Sequence, residues 1–227
     1  MKTYSLLLRR IPLRILFTLS LFLYVTLLSA QSNKAGTIHT SITLDGLLGF
    51  SSPSFTYNTA KPVIKDNATG VGVGFNIGAK VSVGVSEKIS VGFFLRKEGS
   101  SYVNTTDDKK HTYDVKGNGF GFAPEVKIYL ANTDKLNVYF APSIGYSSSN
   151  DKITLDEKYI LKGKSSGVNY AAILGFNKYF SESMGFSVDF GYQGYVLKGK
   201  GQIANNLTYW NVNACILLNA GLVFKIN

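Results

Sequence analysis

The sequence predicts an all-β fold: an eight-stranded antiparallel up-and-down transmembrane β-barrel, preceded by a signal peptide. Three observations carry that expectation. Apolar and polar residues alternate with period two through nearly all of the chain after residue 37, the alternating segments number eight, and the connections between them are alternately short and long.

The chain starts with a different pattern. Lys2, Arg9, Arg10 and Arg14 precede an acid-free apolar run over 15–28, followed by Ser29, Ala30 and Gln31. A basic start, an apolar middle and a small-residue exit make a secretory signal. At about 14 residues the run is shorter than the roughly 20 a membrane-spanning helix needs. Cleavage is expected after Ala30, giving a signal peptide (1–30), a short periplasmic lead-in (31–36) and one barrel domain (37–227). Loss of the four bases takes the net charge from +10 to +6, so much of the basic excess belongs to targeting. The remaining lysines are dispersed and lack clustered Arg with interleaved aromatics, which excludes nucleic acid as a partner.

The first segment sets Ile38, Thr40, Ile42, Leu44, Leu48 and Phe50 on one face. The second is the clearest: Val71, Val73, Phe75, Ile77, Ala79, Val81, Val83 and Val85 alternate with Gly72, Gly74, Asn76, Gly78, Lys80, Ser82 and Gly84. A helix of period 3.6 cannot separate those two sets. The third carries Ile89, Val91, Phe93 and Leu95, and the fourth Phe120, Phe122, Pro124, Val126, Ile128 and Leu130. The fifth carries Leu136, Val138, Phe140, Pro142, Ile144 and Tyr146, and the sixth Val168, Tyr170, Ala172, Leu174, Phe176 and Phe180. The seventh supplies Phe186, Val188, Phe190, Tyr192 and Val196. The last supplies Trp210, Val212, Ala214, Ile216, Leu218, Ala220, Leu222, Phe224 and Ile226.

Short turns are expected at 86–88, 131–135 and 181–184, and long polar loops at 51–68, 99–117, 148–167 and 198–208. In a barrel of this kind the short turns and both termini are periplasmic and the long loops extracellular. A soluble barrel would alternate in the opposite sense and crowd its polar face with Lys and Glu. Here that face is mostly Gly, Ser, Asn, Ala and Tyr, which suits a crowded lumen, and charge on the apolar face is confined to strand ends at Lys97 and Lys178. Aromatics such as Phe50, Phe120, Tyr146, Phe180 and Trp210 fall near strand ends, as interfacial girdles do.

Parity sends four acids, Asp45, Glu98, Glu125 and Asp189, into the lumen with three bases, Lys80, Arg96 and Lys127. Isolated charges in so confined a space would be strongly desolvated, so a paired network with Tyr129, Tyr139 and Tyr195 between its members is expected to fill the interior. The glycines at 70, 72 and 74 continue a strand and open no helix, which argues against a phosphate loop. They are expected to leave room for Tyr129 and Tyr139.

Residues 119–126 (GFGFAPEV) and 138–146 (VYFAPSIGY) resemble the outer-membrane protein β-barrel domain family, small eight-stranded barrels of Gram-negative bacteria. The resemblance runs from about Thr37 to the C-terminus and implies a location, not a chemistry. It also implies handling by the barrel assembly machinery, which reads a final strand like the one ending in Leu222, Phe224 and Ile226; a terminal Asn227 departs from that signal.

No cofactor or metal is expected, since no His or Cys pair has ligand spacing. Cys215 is alone and reads as a small buried side chain. His39 points by parity into the periplasmic end of the lumen, and His111 sits beside Asp107 and Asp108 in a polar loop; neither belongs to a nucleophile motif. The long loops hold eleven lysines against seven acids, a balance that could attract lipopolysaccharide phosphates or simply be solvated. The leading expectation is a non-enzymatic outer-membrane barrel acting through its loops in envelope integrity, adhesion or ligand contact, with outer-membrane lipid and lipopolysaccharide as partners. A narrow conduit for small or apolar solutes is second, and a lipid-modifying enzyme third.

Overall fold

A computed structural model describes residues 33–57, 64–157, 159–201 and 207–226. The expected signal peptide lies outside them. Eight strands follow one another: β1 Ile38–Tyr57, β2 Ile64–Ser86, β3 Ile89–Thr106, β4 Thr112–Asn132, β5 Leu136–Leu155, β6 Tyr159–Tyr179, β7 Met184–Gly201 and β8 Leu207–Ile226. Each pairs antiparallel with its neighbours in sequence, and β8 returns to β1, so the barrel closes. Closure leaves no edge of unpaired N–H and C=O groups, each of which would cost several kcal/mol in hydrocarbon.

Side chains alternate inward and outward as period two requires. Along β4, for example, Gly121, Ala123, Glu125, Lys127 and Tyr129 turn inward, while Phe120, Phe122, Val126, Ile128 and Leu130 face out. Large apolar residues therefore stand exposed all around the wall, Phe50, Ile144 and Phe180 by 64–70 %. An apolar belt of this extent is incompatible with water and matches hydrocarbon.

The long loops are corrected by the structure. Most of the residues at 51–68, 99–117, 148–167 and 198–208 are strand, and pairing runs out to Thr105↔Thr112 and Leu155↔Tyr159. The strands are 18–23 residues long, far more than the ~9–11 that cross a bilayer. The reason lies in the faces. Above the belt the alternation continues with its sense reversed: Phe55, Tyr113, Val115, Ile153, Leu197 and Tyr209 are buried inside, and Ser52, Asn118, Lys152, Lys164 and Lys200 face out. The lower barrel is built for lipid and the upper one for water.

Candidate functional site

The lumen is filled in three layers. At the end bearing the short turns, the segment leading into β1 folds across the mouth. Asn33 is fully buried: its Nδ2 donates to Ser86 O (2.6 Å), and its Oδ1 accepts from Ser90 Oγ (2.9 Å) and lies 3.1 Å from His39 Nε2. Asn132 exchanges two bonds with the Asn33 backbone, both 2.9 Å. His39 Nδ1 lies 2.9 Å from Tyr179 OH, whose ring carries Lys225 Nζ 5.2 Å from its centroid. Both nitrogens of His39 are thus engaged in closing the mouth, and neither faces a nucleophile.

The middle layer contains all seven lumen charges singled out above. Lys80 Nζ is 2.7 Å from Asp189 Oδ2 and 4.0 Å from Glu125 Oε2, and Lys127 Nζ is 3.7 Å from Glu125 Oε1. Arg96 Nε donates to Glu98 Oε1, which also accepts from Ser147 Oγ and Tyr195 OH, both at 3.2 Å. Asp45 has no base within ion-pair distance among the described residues; the amides of Asn219 and Asn76 donate to it instead. Phe94 separates the two halves, with Lys80 and Arg96 each about 5 Å from its ring centroid. Removing charges from water costs several kcal/mol per ion, and pairing with hydrogen bonds offsets it.

Tyrosines occupy the space left by glycines, with one correction. Tyr139 lies over Gly175, where an added Cβ would meet its ring at 2.4 Å. The glycines of β2 do not serve Tyr129 or Tyr139: it is Tyr102, paired with Gly72 on the neighbouring strand, that a Cβ there would strike at 2.3 Å. Cross-strand register decides this, and register is invisible in a single segment. Cys215 is buried 3.1 Å from Tyr102 OH.

At the hairpin end an apolar plug closes the upper barrel. Phe55 and Tyr113 stack with centroids 4.3 Å apart, packed with Ile153, Leu207 and Tyr209. Full burial of Phe55 and Ile153 contributes roughly 1.5–3 kcal/mol each. Beneath the plug Asp151 accepts from Ser149 Oγ (2.6 Å), Ser165 Oγ (2.5 Å) and Tyr209 OH (2.5 Å). This buried carboxylate, like the inward Lys225, was missing from the expected network. Its signal was parity, carried into a stretch read as loop. A gap of about 30 Å³ between the layers, lined by Glu98, Tyr102, Asp151, Tyr195 and Asn213, is of a size to take water.

Outside the barrel, His111 meets a carboxylate from another hairpin. Its Nδ1 is 2.7 Å from Asp156 Oδ2, at the β5–β6 turn, and not bonded to Asp107 or Asp108. That hydrogen bond, with the negative charges of Asp156, Asp108 and Asp66, raises the imidazole above its ordinary value of 6.5. Thr106 Oγ1 and the Lys110 N–H both donate to Asp108 and hold its carboxyl down to about 2. No hydroxyl or thiol bonds the other ring nitrogen of His111 among the described residues. Nor does any group of three His, Cys, Asp or Glu residues there have metal-binding geometry.

No family model and no curated protein sequence matches the chain. Solved structures do. The outer membrane protein OprG from Pseudomonas aeruginosa superposes with a TM-score of 0.59 at 14 % identity, over 88 % of this chain and all of that one. The outer membrane protease OmpT from Escherichia coli gives 0.46 at 11 % identity, over 84 % of this chain and 97 % of that one. Ail, the attachment invasion locus protein of Yersinia pestis, gives 0.41 at 12 %, over 85 % and 99 %. At such identities the likeness to OprG speaks for architecture alone. With the closed ring of eight antiparallel strands and the apolar outer wall, the chain has the fold of the small eight-stranded outer-membrane β-barrels.

Proposed function

We propose that the protein is a non-enzymatic outer-membrane barrel with periplasmic termini, a sealed lumen, and hairpins that stand above the outer leaflet as its contact surface. The observation that supports this most directly is the filling of the lumen: the Asn33 stopper, the paired charges and the Phe55–Tyr113 plug lie in series. A conduit would need a passage through all three. A lipid-modifying enzyme with a serine nucleophile would need that serine beside His39 or His111, and the partners of those rings are Asn33, Tyr179 and Asp156.

The hairpins are a stiff surface. Their strands stay paired almost to the tips, and the buried plug and the tip-to-tip His111–Asp156 contact hold them together. Such a platform suits envelope integrity, adhesion or ligand contact.

Two measurements test the proposal. Planar-bilayer recordings of the folded barrel should show no large steady conductance; a wide steady channel would replace it with the conduit. Protease added to intact cells should cut at the β3–β4 and β5–β6 tips and spare the short turns, and the reverse pattern would invert the orientation.

A further inference from the structure

The upper barrel is not evenly charged. On the β1–β3 side, beyond Phe50, the outward residues include Ser52, Ser54, Asn67, Thr69 and Ser101, with a single lysine among the described residues, Lys65, near the top of β2. On the β5–β7 side, at the matching height, lysines stand next to each other: Lys152 is the cross-strand partner of Lys162, and Lys164 of Lys200. Lys198 lies one step lower, beside Trp210, with its Nζ 5.1 Å from the ring. Like charges directly opposite on a sheet are destabilising. Among the described residues none of these five has a carboxylate within 4.0 Å; the neighbouring acid, Asp114, is 3.5 Å from Lys116.

The same lysines shape a concavity. A surface depression of about 750 Å³ is lined by Tyr146, Lys164, Ser166, Lys198 and Lys200. Directly below it the outward residues become apolar, with Val168, Val196 and Val212 side by side on β6, β7 and β8. A ligand seated there meets ammonium groups above and a hydrocarbon-facing wall below. A soluble anion would use only the first of these.

We infer that this depression is a binding site for the phosphorylated headgroup of an outer-leaflet glycolipid, lipopolysaccharide, with a phosphate among Lys164, Lys198 and Lys200 and its acyl chains along the valines. The anion relieves the repulsion between the paired lysines, and Tyr146 and Trp210 mark the interfacial level at which the phosphate lies. One side of the barrel thereby carries a bound lipid and the other does not. The inference rests on the membrane reading proposed above, including hairpins that stand at the outer leaflet.

The test is a lipid titration of the folded barrel in neutral detergent, read by the fluorescence of Trp210, the one tryptophan of the chain. Bisphosphorylated lipid A should shift the emission saturably, and added salt should weaken the effect. Each basic group near an anionic lipid surface strengthens binding roughly fivefold. Combining Lys162→Gln, Lys164→Gln and Lys200→Gln, which leaves the Lys198–Trp210 pair in place, should then weaken it roughly a hundredfold. Replacing Lys88, Lys135 and Lys178 at the other end by Gln should change little. The site is overturned if the first variant binds as the unmodified barrel does. It is also overturned if dephosphorylated lipid A binds equally, if inorganic phosphate alone reproduces the shift, or if binding ignores salt. The salt and lipid arms need no variant, so they decide the question even if a substituted barrel fails to fold. Protease cutting on cells reads orientation separately: the reverse pattern would overturn the site along with the orientation, whereas a failed titration would overturn the site and leave the orientation standing.

Discussion

Lys80 and Asp189 meet across the lumen at 2.7 Å from strands β2 and β7, which do not pair with each other. Asp189 also accepts from Tyr139 OH at 2.7 Å, so one carboxylate ties together three strands. Asp189→Asn leaves the buried ammonium facing Glu125 alone, at 4.0 Å. A loss of about 3 kcal/mol is expected in urea unfolding from lipid vesicles, because breaking a buried pair strands a charge. Lys80→Met combined with Asp189→Leu should lose less than Asp189→Asn by itself. If the single variant unfolds at the wild-type urea concentration, the tie carries no stability.

Gly175 is the floor under Tyr139. Gly175→Val should cost at least the ~1–3 kcal/mol typical of overpacking, seen as a smaller fraction of the compact, heat-modifiable species on a gel. Adding Tyr139→Ala should recover part of that loss. No recovery would mean that the new side chain strikes chiefly Asp189, whose Oδ1 lies 2.3 Å from the same added Cβ.

The belt has a sharp upper limit along β5, between Tyr146 and Ser148. Val126→Lys, in the belt, should cost about 2–4 kcal/mol of stability in a bilayer, and Ser148→Lys close to nothing. Unfolding titrations of the two variants in the same vesicles make the comparison, and equal costs would misplace the boundary.

The His111–Asp156 contact should make the hairpin tips pH-dependent. The folded imidazole titrates above 6.5, so its stabilising charge is fully present below that value and is lost as the pH rises through the higher folded one. Asp108, held down to about 2, stays ionised throughout. Amide exchange at the β3–β4 and β5–β6 tips, corrected for intrinsic rate, should be steady below about pH 6.5 and speed up as the pH rises towards about 8. Asp156→Asn preserves an acceptor for the Thr112 N–H and should flatten that dependence. A variant with an unchanged profile would assign the titration to another group.

The outer wall was readable from the sequence because hydrocarbon tolerates few exceptions, and Val71, Val73 and Phe75 admit no second interpretation. The inner charges followed by parity, since Lys80 sits one residue from Val81. What escaped depended on partners far away in the chain. Asn33 lies in a lead-in with no periodicity, and its stopper role comes from Ser86, Ser90 and Asn132. Asp156 is 45 residues from His111, and the two hairpin tips meet because β4 pairs with β5 right up to Tyr113 and Leu155. The hairpin strands were hidden for another reason. Their alternation is intact at Tyr113 and Val115, but the apolar residues have changed sides, and a search for an outward apolar face ends where the lipid does.

That change of side restricts how such a chain can vary. A barrel that faces lipid below and water above, along one uninterrupted strand, has no joint at which a single residue can be gained or lost unnoticed. One insertion near Ser51 would send Phe55 to the solvent and Ser54 to the interior, undoing the plug without touching the belt. Length can therefore be added or removed in steps of two residues, or at the tips. The hairpins of this architecture can become taller or shorter over time, but only in whole rungs.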